Sequence, residues 1–447
     1  MKLYLFNSLT NQNDCLSLDS QQTINIYLCG PTVYDHIHVG NLRTVIVFDV
    51  LHRFLLHCGH KIRYIHNLTD IDDKIIQKAQ KEKKTEQQIT HHYTKSYFQN
   101  LTNYNILWPT LIPKVTDYIP QIQEFINKLL KSKHAYRQEG NVLFRVKGHQ
   151  AYGQLSNQVA EKLQSERKIA QINKETPQDF VLWKNTSQGT NWPYLLGSGR
   201  PGWHTECAVF IQELFEGKTI DIHGGGQDLL FPHHENERIQ YLAINNQELS
   251  KIWLHIGHLH WNQEKMSKSL GNIILAKHFY QKYGSNALRY LFLNSRYNQV
   301  INFNEKLLQQ AQDYIQKIKN LLKRLKLYFY WQKITINQQE INKNNQFYQE
   351  IINALADNLN TIKVLYYLDE IIYRLNKELD KQKKEKLIQE LTGIFYFVLE
   401  ILGFKFELTD YNWQIRYLLN KWQKFRQNKQ FSEADQIRKQ LQEKDVI

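Results

Sequence analysis

Cysteine is scarce in this chain: Cys15, Cys29, Cys58 and Cys207 are the four in 447 residues. None stands in a Cys-x-x-Cys pair, and so few cannot staple a chain of this length. A disulfide framework is therefore excluded and a reducing compartment expected, with any important cysteine acting as ligand or nucleophile. Proline and glycine are also few, 8 and 19, which excludes a collagen-like or low-complexity chain. No stretch approaches the ~18 apolar residues needed to span a bilayer. The best candidate, Ile394 to Leu399, is cut by Glu400. The N-terminus has neither a long apolar core nor an Arg- and Ser-rich leader. These absences predict an aqueous, cytoplasmic workplace without membrane contact, an organelle interior being the alternative. Acidic residues are in deficit, 43 against 57 Lys and Arg, for a net charge of +14. A surplus of that size points to a polyanionic partner, most simply a nucleic acid.

What is present is an ordinary globular composition, 42% hydrophobic, long enough for two to four domains and a large core. Ile24 to Cys29 reads as a strand stopped by Gly30-Pro31. Asn41 to Cys58 reads as a helix, with Leu42, Val45, Ile46, Val50 and Phe54 at steps of three to four, ended by Gly59. Lys61 to Leu68 reads as a second strand. Strand, helix and strand in succession predict a parallel sheet, whose ligands bind beyond the carboxyl ends of its strands. Cys29 and Thr69 fall at such ends. Further on, the pattern predicts a helix over 116–134, strands over 141–146 and 180–183, and a polar excursion over 154–178. Gly197, Gly199 and Gly202 punctuate one expected loop and Gly224-Gly225-Gly226 another. Residues 253–261 read as one strand. From about Glu305 onward long helices are expected, with 24 Lys and Arg against 18 Asp and Glu over 301–447.

Two segments suit phosphate chemistry. His36-Ile37-His38-Val39-Gly40-Asn41 lies where the first helix opens, and a helix N-terminus offers unpaired N–H groups and partial positive charge to an anion. Lys265-Met266-Ser267-Lys268-Ser269 places two lysines three apart, a spacing that suits a loop closing over polyphosphate and offsetting charge on a leaving group. Together they resemble the two signature motifs of class I aminoacyl-tRNA synthetases. The sequence is further similar to the cysteinyl-tRNA synthetases in Cys29-Gly30-Pro31-Thr32-Val33-Tyr34-Asp35, Thr69-Asp70-Ile71-Asp72-Asp73-Lys74-Ile75 and Gly202-Trp203-His204-Thr205-Glu206-Cys207. Asp221-Ile222-His223-Gly224-Gly225-Gly226 and Phe231-Pro232-His233-His234-Glu235-Asn236-Glu237 extend the resemblance, which runs in order from about 24 to 300. One departure is Asn41, where the family's first motif usually ends in histidine; asparagine still hydrogen-bonds but carries no charge.

That resemblance implies an α/β fold: a Rossmann-like parallel-sheet catalytic domain over 1–261 with an inserted connective region at about 110–180. A signature-loop and joining segment over 262–300 and an all-α anticodon-binding domain over 301–447 would follow. It implies ATP bound by His36, His38, Gly40, Asn41, Lys265 and Lys268, with His38, Lys265 and Lys268 catalytic and Mg²⁺ accompanying ATP. His233 and Glu237, four apart, share a helix face, and the resemblance joins them to Cys29 and Cys207 as ligands of one Zn²⁺. It also places Thr69, Trp203, His223 and Asp228 around L-cysteine. The implied partners are cysteine tRNA, ATP and L-cysteine, the implied state a monomer. The alternatives are a cysteine:amino-sugar ligase of the same superfamily, which usually lacks a full helical C-terminal region, or a non-catalytic RNA-binding relative.

Overall fold

A computed structural model describes residues 2–19, 21–157, 173–195, 197–261, 273–334, 341–381 and 384–447, and the backbone of 264–265. The chain divides into two compact units. The first comprises Met1–Lys282, Ser295–Phe303 and Leu355–Asn360; the second comprises Tyr283–Asn294, Asn304–Ala354 and Thr361–Ile447.

At the centre of the first unit is a four-stranded parallel sheet. Its order is Ser250–Ile256, Ile220–Gly226, Thr23–Leu28 and Lys61–His66. Ile24, Ile26, Tyr27 and Leu28 are all buried, the near-continuous apolar run of a strand covered on both faces. The helix Val39–His57 carries the chain from Thr23–Leu28 to Lys61–His66 and buries Leu42, Ile46, Val50, Leu51 and Phe54. Gly59 follows it at φ +83°, a left-handed conformation that glycine adopts without Cβ strain. The chain thus leaves the Thr23–Leu28 strand in one direction and later returns on its other side at Ile220–Gly226. The gap between these two strands is a topological switch point, where open parallel sheets bind ligands.

The connective region is itself a sheet. Ala135–Gln138, Asn141–Phe144, Phe180–Asn185, Gly197–Pro201 and Trp192–Tyr194 pair antiparallel in that order. The helix expected over 116–134 runs Ile119–Lys131 after a short tight turn at Val115–Tyr118, its start set by Pro120 in the first turn.

Three local expectations change. Gly197 and Gly199 belong to a strand, not a loop. A Cβ on Gly199 would come within 2.2 Å of the Lys184 carbonyl oxygen, so glycine there serves close packing of two backbones. Gly224, Gly225 and Gly226 likewise close the Ile220–Gly226 strand, where a Cβ on Gly224 would meet the Phe48 ring at 2.3 Å. Residues 253–261 split into Ser250–Ile256 and Leu259–Trp261, because the Gly257 N–H leaves the sheet to bond Tyr297 O. Of the excursion expected over 154–178, residues 158–172 lie outside the described residues.

In the second unit every regular element among the described residues is helical. Its helices include Glu305–Gln332, Thr361–Lys381, Glu385–Ile401, Trp413–Gln427 and Phe431–Glu443. The apolar run at 394–399 is the buried face of Glu385–Ile401. Among the described residues, no helix is long and apolar enough to cross a membrane.

Candidate active site and metal centre

Four side chains from three distant stretches converge at the switch point. Cys29 is the first residue past the Thr23–Leu28 strand, tied by its N–H to Gly224 O at 3.1 Å. Cys207 projects from the helix Trp203–Leu214, and His233 and Glu237 lie one turn apart where the chain enters the helix Glu235–Asn245. Cys29 Sγ is 3.7 Å from Cys207 Sγ, 3.6 Å from His233 Nε2 and 3.5 Å from Glu237 Oε1, and Cys207 Sγ is 3.7 Å from His233 Nε2. Cys207, His233 and Glu237 are buried. The four form a group able to hold a metal ion.

Their electrostatics suit a cation. Burial alone would raise the Glu237 carboxyl, but the imidazoles of His233 and His223 hold it well below the usual carboxylate range. Burial would lower His233, yet Glu237 and Cys207 lift it to about 10. Burial and the neighbouring Cys207 and Glu237 push the Cys29 thiol up. Cys207 falls to about 6: burial opposes its ionisation, while Cys29 and His233 donate to the thiolate. The cluster thus gathers a carboxylate and two sulfurs around one imidazole, surroundings compatible with a cation.

The geometry is compatible with a tetrahedral ion. Bonds of about 2.3 Å to sulfur and 2.0–2.1 Å to nitrogen require edges of roughly 3.7 Å between sulfurs and 3.5 Å between sulfur and nitrogen. The observed sulfur–sulfur edge is 3.7 Å, and the sulfur–nitrogen edges of 3.6 and 3.7 Å are slightly longer than the ideal. The His233 Nε2–Glu237 Oε1 edge, 2.6 Å, is at hydrogen-bond length and must lengthen to admit an ion. Outer contacts orient the donors. His204 Nδ1 meets His233 Nδ1 at 3.2 Å, turning His233 Nε2 toward the sulfurs. His223 Nε2 meets Glu237 Oε2 at 2.6 Å, leaving Oε1 for the cluster. Such partners fix ligand orientation as much as the ligands themselves do. A second grouping, Cys29, His223, His234 and Glu237, shares two of these donors.

Of the residues expected around an amino acid, Trp203 and His223 contact this cluster, Thr69 reaches Glu206 next to Cys207, and Asp228 lines the neighbouring cleft. Trp203 stacks on the His233 ring at 4.2 Å. The Thr69 hydroxyl donates to Glu206 Oε2 at 3.0 Å, beside Cys207. His223 is fully buried, its Nδ1 without a hydrogen-bond partner among the described residues. Asp228 is exposed in the short turn after Gly226.

Beside the cluster opens a cleft of about 250 Å³. Cys29, His38, Gly40 and Asn41 line one part of it; Asp228 and Gly257 to Leu259 line another. His38 caps the helix Val39–His57, and its N–H donates to Asn41 Oδ1 at 3.1 Å. Asn41 therefore has a capping role that requires no charge. A Cβ on Gly40 would stand 2.9 Å from the His38 ring, so glycine lets that ring lie against the helix start. His36 is turned elsewhere. Its Nδ1 meets Ser96 Oγ at 2.8 Å and its Nε2 meets Lys277 Nζ at 3.2 Å, and it is not among the residues lining the cleft. Burial and the Lys277 ammonium lower its pKa. The backbone of Lys265 pairs with His260; Lys268 lies outside the described residues. The segment following the lysine motif is bound to the first motif through Val39 N–H to Ile274 O and Ala276 N–H to Ile37 O, both 3.0 Å.

Residues 16–313 match the family described as tRNA synthetases class I (C) catalytic domain. Over 450 aligned residues the chain is 41% identical to the cysteine–tRNA ligase of Mesoplasma florum, covering 99% of this chain and all of that protein. It is 39% identical to the cysteine–tRNA ligase of Malacoplasma penetrans over the whole of both. The chain belongs to the cysteine–tRNA ligase family. Its fold is shared more widely: a methionyl-tRNA synthetase from Mycobacterium tuberculosis, solved with methionyl-adenylate, superposes with a TM-score of 0.60 at 14% identity, covering 85% of this chain and 89% of that one.

Within this family frame, sequence reasoning missed the orienting residues. His204 stands inside a motif that was legible, directly after Trp203, but only the folded chain sets its ring against His233. Glu206 is visible as the neighbour of Cys207, yet its pairing with Thr69 spans 137 positions.

Proposed function

We propose that the protein ligates L-cysteine to cysteine tRNA in two steps within the cleft of the first unit. In the first, a carboxylate oxygen of cysteine attacks the α-phosphorus of ATP; the bond to the β-phosphate breaks and pyrophosphate leaves. In the second, a terminal ribose hydroxyl of the tRNA attacks the acyl carbon and AMP leaves. The protein supplies no covalent nucleophile; it positions the reactants and stabilises charge. The helix start at His38, Gly40 and Asn41 receives the phosphates. Lys265 and Lys268 offset charge on the departing pyrophosphate, and Mg²⁺ arrives with ATP.

Cys29, Cys207, His233 and Glu237 hold Zn²⁺ in this reading. When bound, the ion supplies a soft positive centre that favours a thiolate over a hydroxyl, and so cysteine over serine. An apolar pocket alone separates close isosteres by only about 1–3 kcal/mol. Trp203 covers the side chain, Asp228 meets the ammonium, and Thr69 and His223 complete the pocket. Residues 1–261, with the insertion at about 110–180, carry catalysis, and 262–300 carry the signature loop. Residues 301–447 bind the anticodon end, and the protein works as a cytoplasmic monomer. The observation that carries the reading is the convergence of two thiols, an imidazole and a carboxylate beside a phosphate-suited cleft that Cys29 also lines. That helical unit favours tRNA over an amino-sugar as acceptor.

The test is ATP–pyrophosphate exchange with cysteine and with serine, followed by charging of tRNA with labelled cysteine. Cysteine-dependent exchange should exceed serine-dependent exchange by a factor on the order of 10³ or more. A chelator that strips the metal should abolish it. Comparable exchange with serine in the metal-loaded protein would sink the selectivity argument.

A further inference from the structure

Arg43 is 1% exposed, and its charge has no carboxylate within ion-pair reach among the described residues. Instead its guanidinium donates to three backbone carbonyls. Nη1 reaches Gly257 O at 2.6 Å and His258 O at 2.9 Å, and Nη2 reaches Arg296 O at 3.2 Å. Burial lowers its pKa to about 9, a measure of how poorly the surroundings solvate the charge. Burying a guanidinium without a counter-ion is unfavourable unless its donors find acceptors, so the three carbonyls that accept from Arg43 are what hold it there.

The placement of those carbonyls gives the charge a purpose. On the same helix, Gly40, Asn41, Thr44 and Val45 line the cleft, as do Gly257 and His258 across from them. Arg43 starts from the first wall and grips the second. Gly257 is where the peptide leaves the parallel sheet, its N–H bonded to Tyr297 O at 2.8 Å, and His258 O also accepts from Ile301 N–H at 3.0 Å. Gly257 and His258 thus lie at the break between the Ser250–Ile256 and Leu259–Trp261 strands, where the pairing of the parallel sheet has ended. A planar fork with five donors can bind several carbonyls at once, which a point charge cannot.

We propose that Arg43 is a positioning residue for the nucleotide, setting the separation between the first-motif helix and the Gly257–His258 wall. It touches neither substrate nor the reacting atoms; it acts through the backbone it holds. The inference rests on the reading that ATP occupies this cleft.

The experiment is steady-state ATP–pyrophosphate exchange with the full-length, metal-loaded protein, comparing wild type with Arg43→Lys and Arg43→Gln. The KM for ATP should rise about tenfold or more in Arg43→Lys, which keeps the charge but loses the fork, while the KM for cysteine and the bound metal stay at wild-type values. Arg43→Gln should be at least as impaired; if it fails to fold, Arg43→Lys alone decides. Unchanged ATP KM in Arg43→Lys would overturn the proposal. So would equal rises in both KM values with a lowered melting temperature, the signature of a purely structural role. Absence of exchange in wild type would instead overturn the functional reading on which the proposal stands.

Discussion

At the scale of single residues, histidine state decides much of the site. His66 ends its strand beside the cleft, with Nδ1 3.1 Å from Leu28 O and Nε2 against the Tyr97 hydroxyl. These contacts satisfy a neutral ring, and burial lowers its pKa from 6.5 to about 4. His255, bonded to Ser8 and His234, is lowered by burial and His223 to about 3. A folded pKa below the unfolded one means that the unfolded chain takes up protons the folded chain refuses. The stabilisation is therefore whole above about pH 6.5 and lost as pH falls toward 4. The urea midpoint should drop over that window, His66 accounting for at most roughly 3 kcal/mol. His66→Gln, neutral throughout, should show a shallower fall; the same pH slope in both proteins would remove His66 as its source.

At the scale of elements, close packing of backbones sets what each segment tolerates. The Ile220–Gly226 strand lies between Ser250–Ile256 and Thr23–Leu28 and under the helix Val39–His57. A Cβ on Gly224 would lie 2.3 Å from the Phe48 ring and 2.6 Å from Leu254 O. The ring can turn, but the ladder carbonyl cannot withdraw without breaking register. Gly224→Ala should lower stability by about 1–3 kcal/mol, read as a reduced thermal midpoint. Because Cys29 N–H is bonded to Gly224 O, bound metal should fall as well. An alanine variant with wild-type midpoint and metal content would show that the strand yields more easily than this packing implies. The helix entering at Glu235 illustrates the converse: the four-residue spacing of His233 and Glu237 needs only local geometry to bring them together.

At the scale of the whole molecule, charge is the property to test. The net charge is +14, and residues 301–447 hold 24 Lys and Arg against 18 Asp and Glu, so the surplus is spread along the chain. A polyanion bound through many phosphates releases counterions and should weaken steeply with salt. Raising KCl from about 50 to 200 mM should reduce tRNA affinity by a factor on the order of 10² or more. Cysteine-dependent pyrophosphate exchange, which needs no tRNA, should change far less. Equal insensitivity of both would reject electrostatic capture of the tRNA.

The sequence by itself determined the strand–helix–strand opening, the helical character beyond residue 305, and the motifs that mark the family. These depend on short-range periodicity, on glycine and proline at element ends, and on strings that stay contiguous. Even the grouping of Cys29, Cys207, His233 and Glu237 was legible, though only through resemblance, since nothing local joins Cys29 to Cys207 across 178 positions. Tertiary structure alone decided which glycines are strand and which are loop, because the atoms that exclude a Cβ come from other segments. It turned His36 toward Ser96 and Lys277 and away from the cleft, and it gave Arg43 three carbonyls in place of a carboxylate. Sheet order, a long-range property, chooses those neighbours; a residue's own propensity does not.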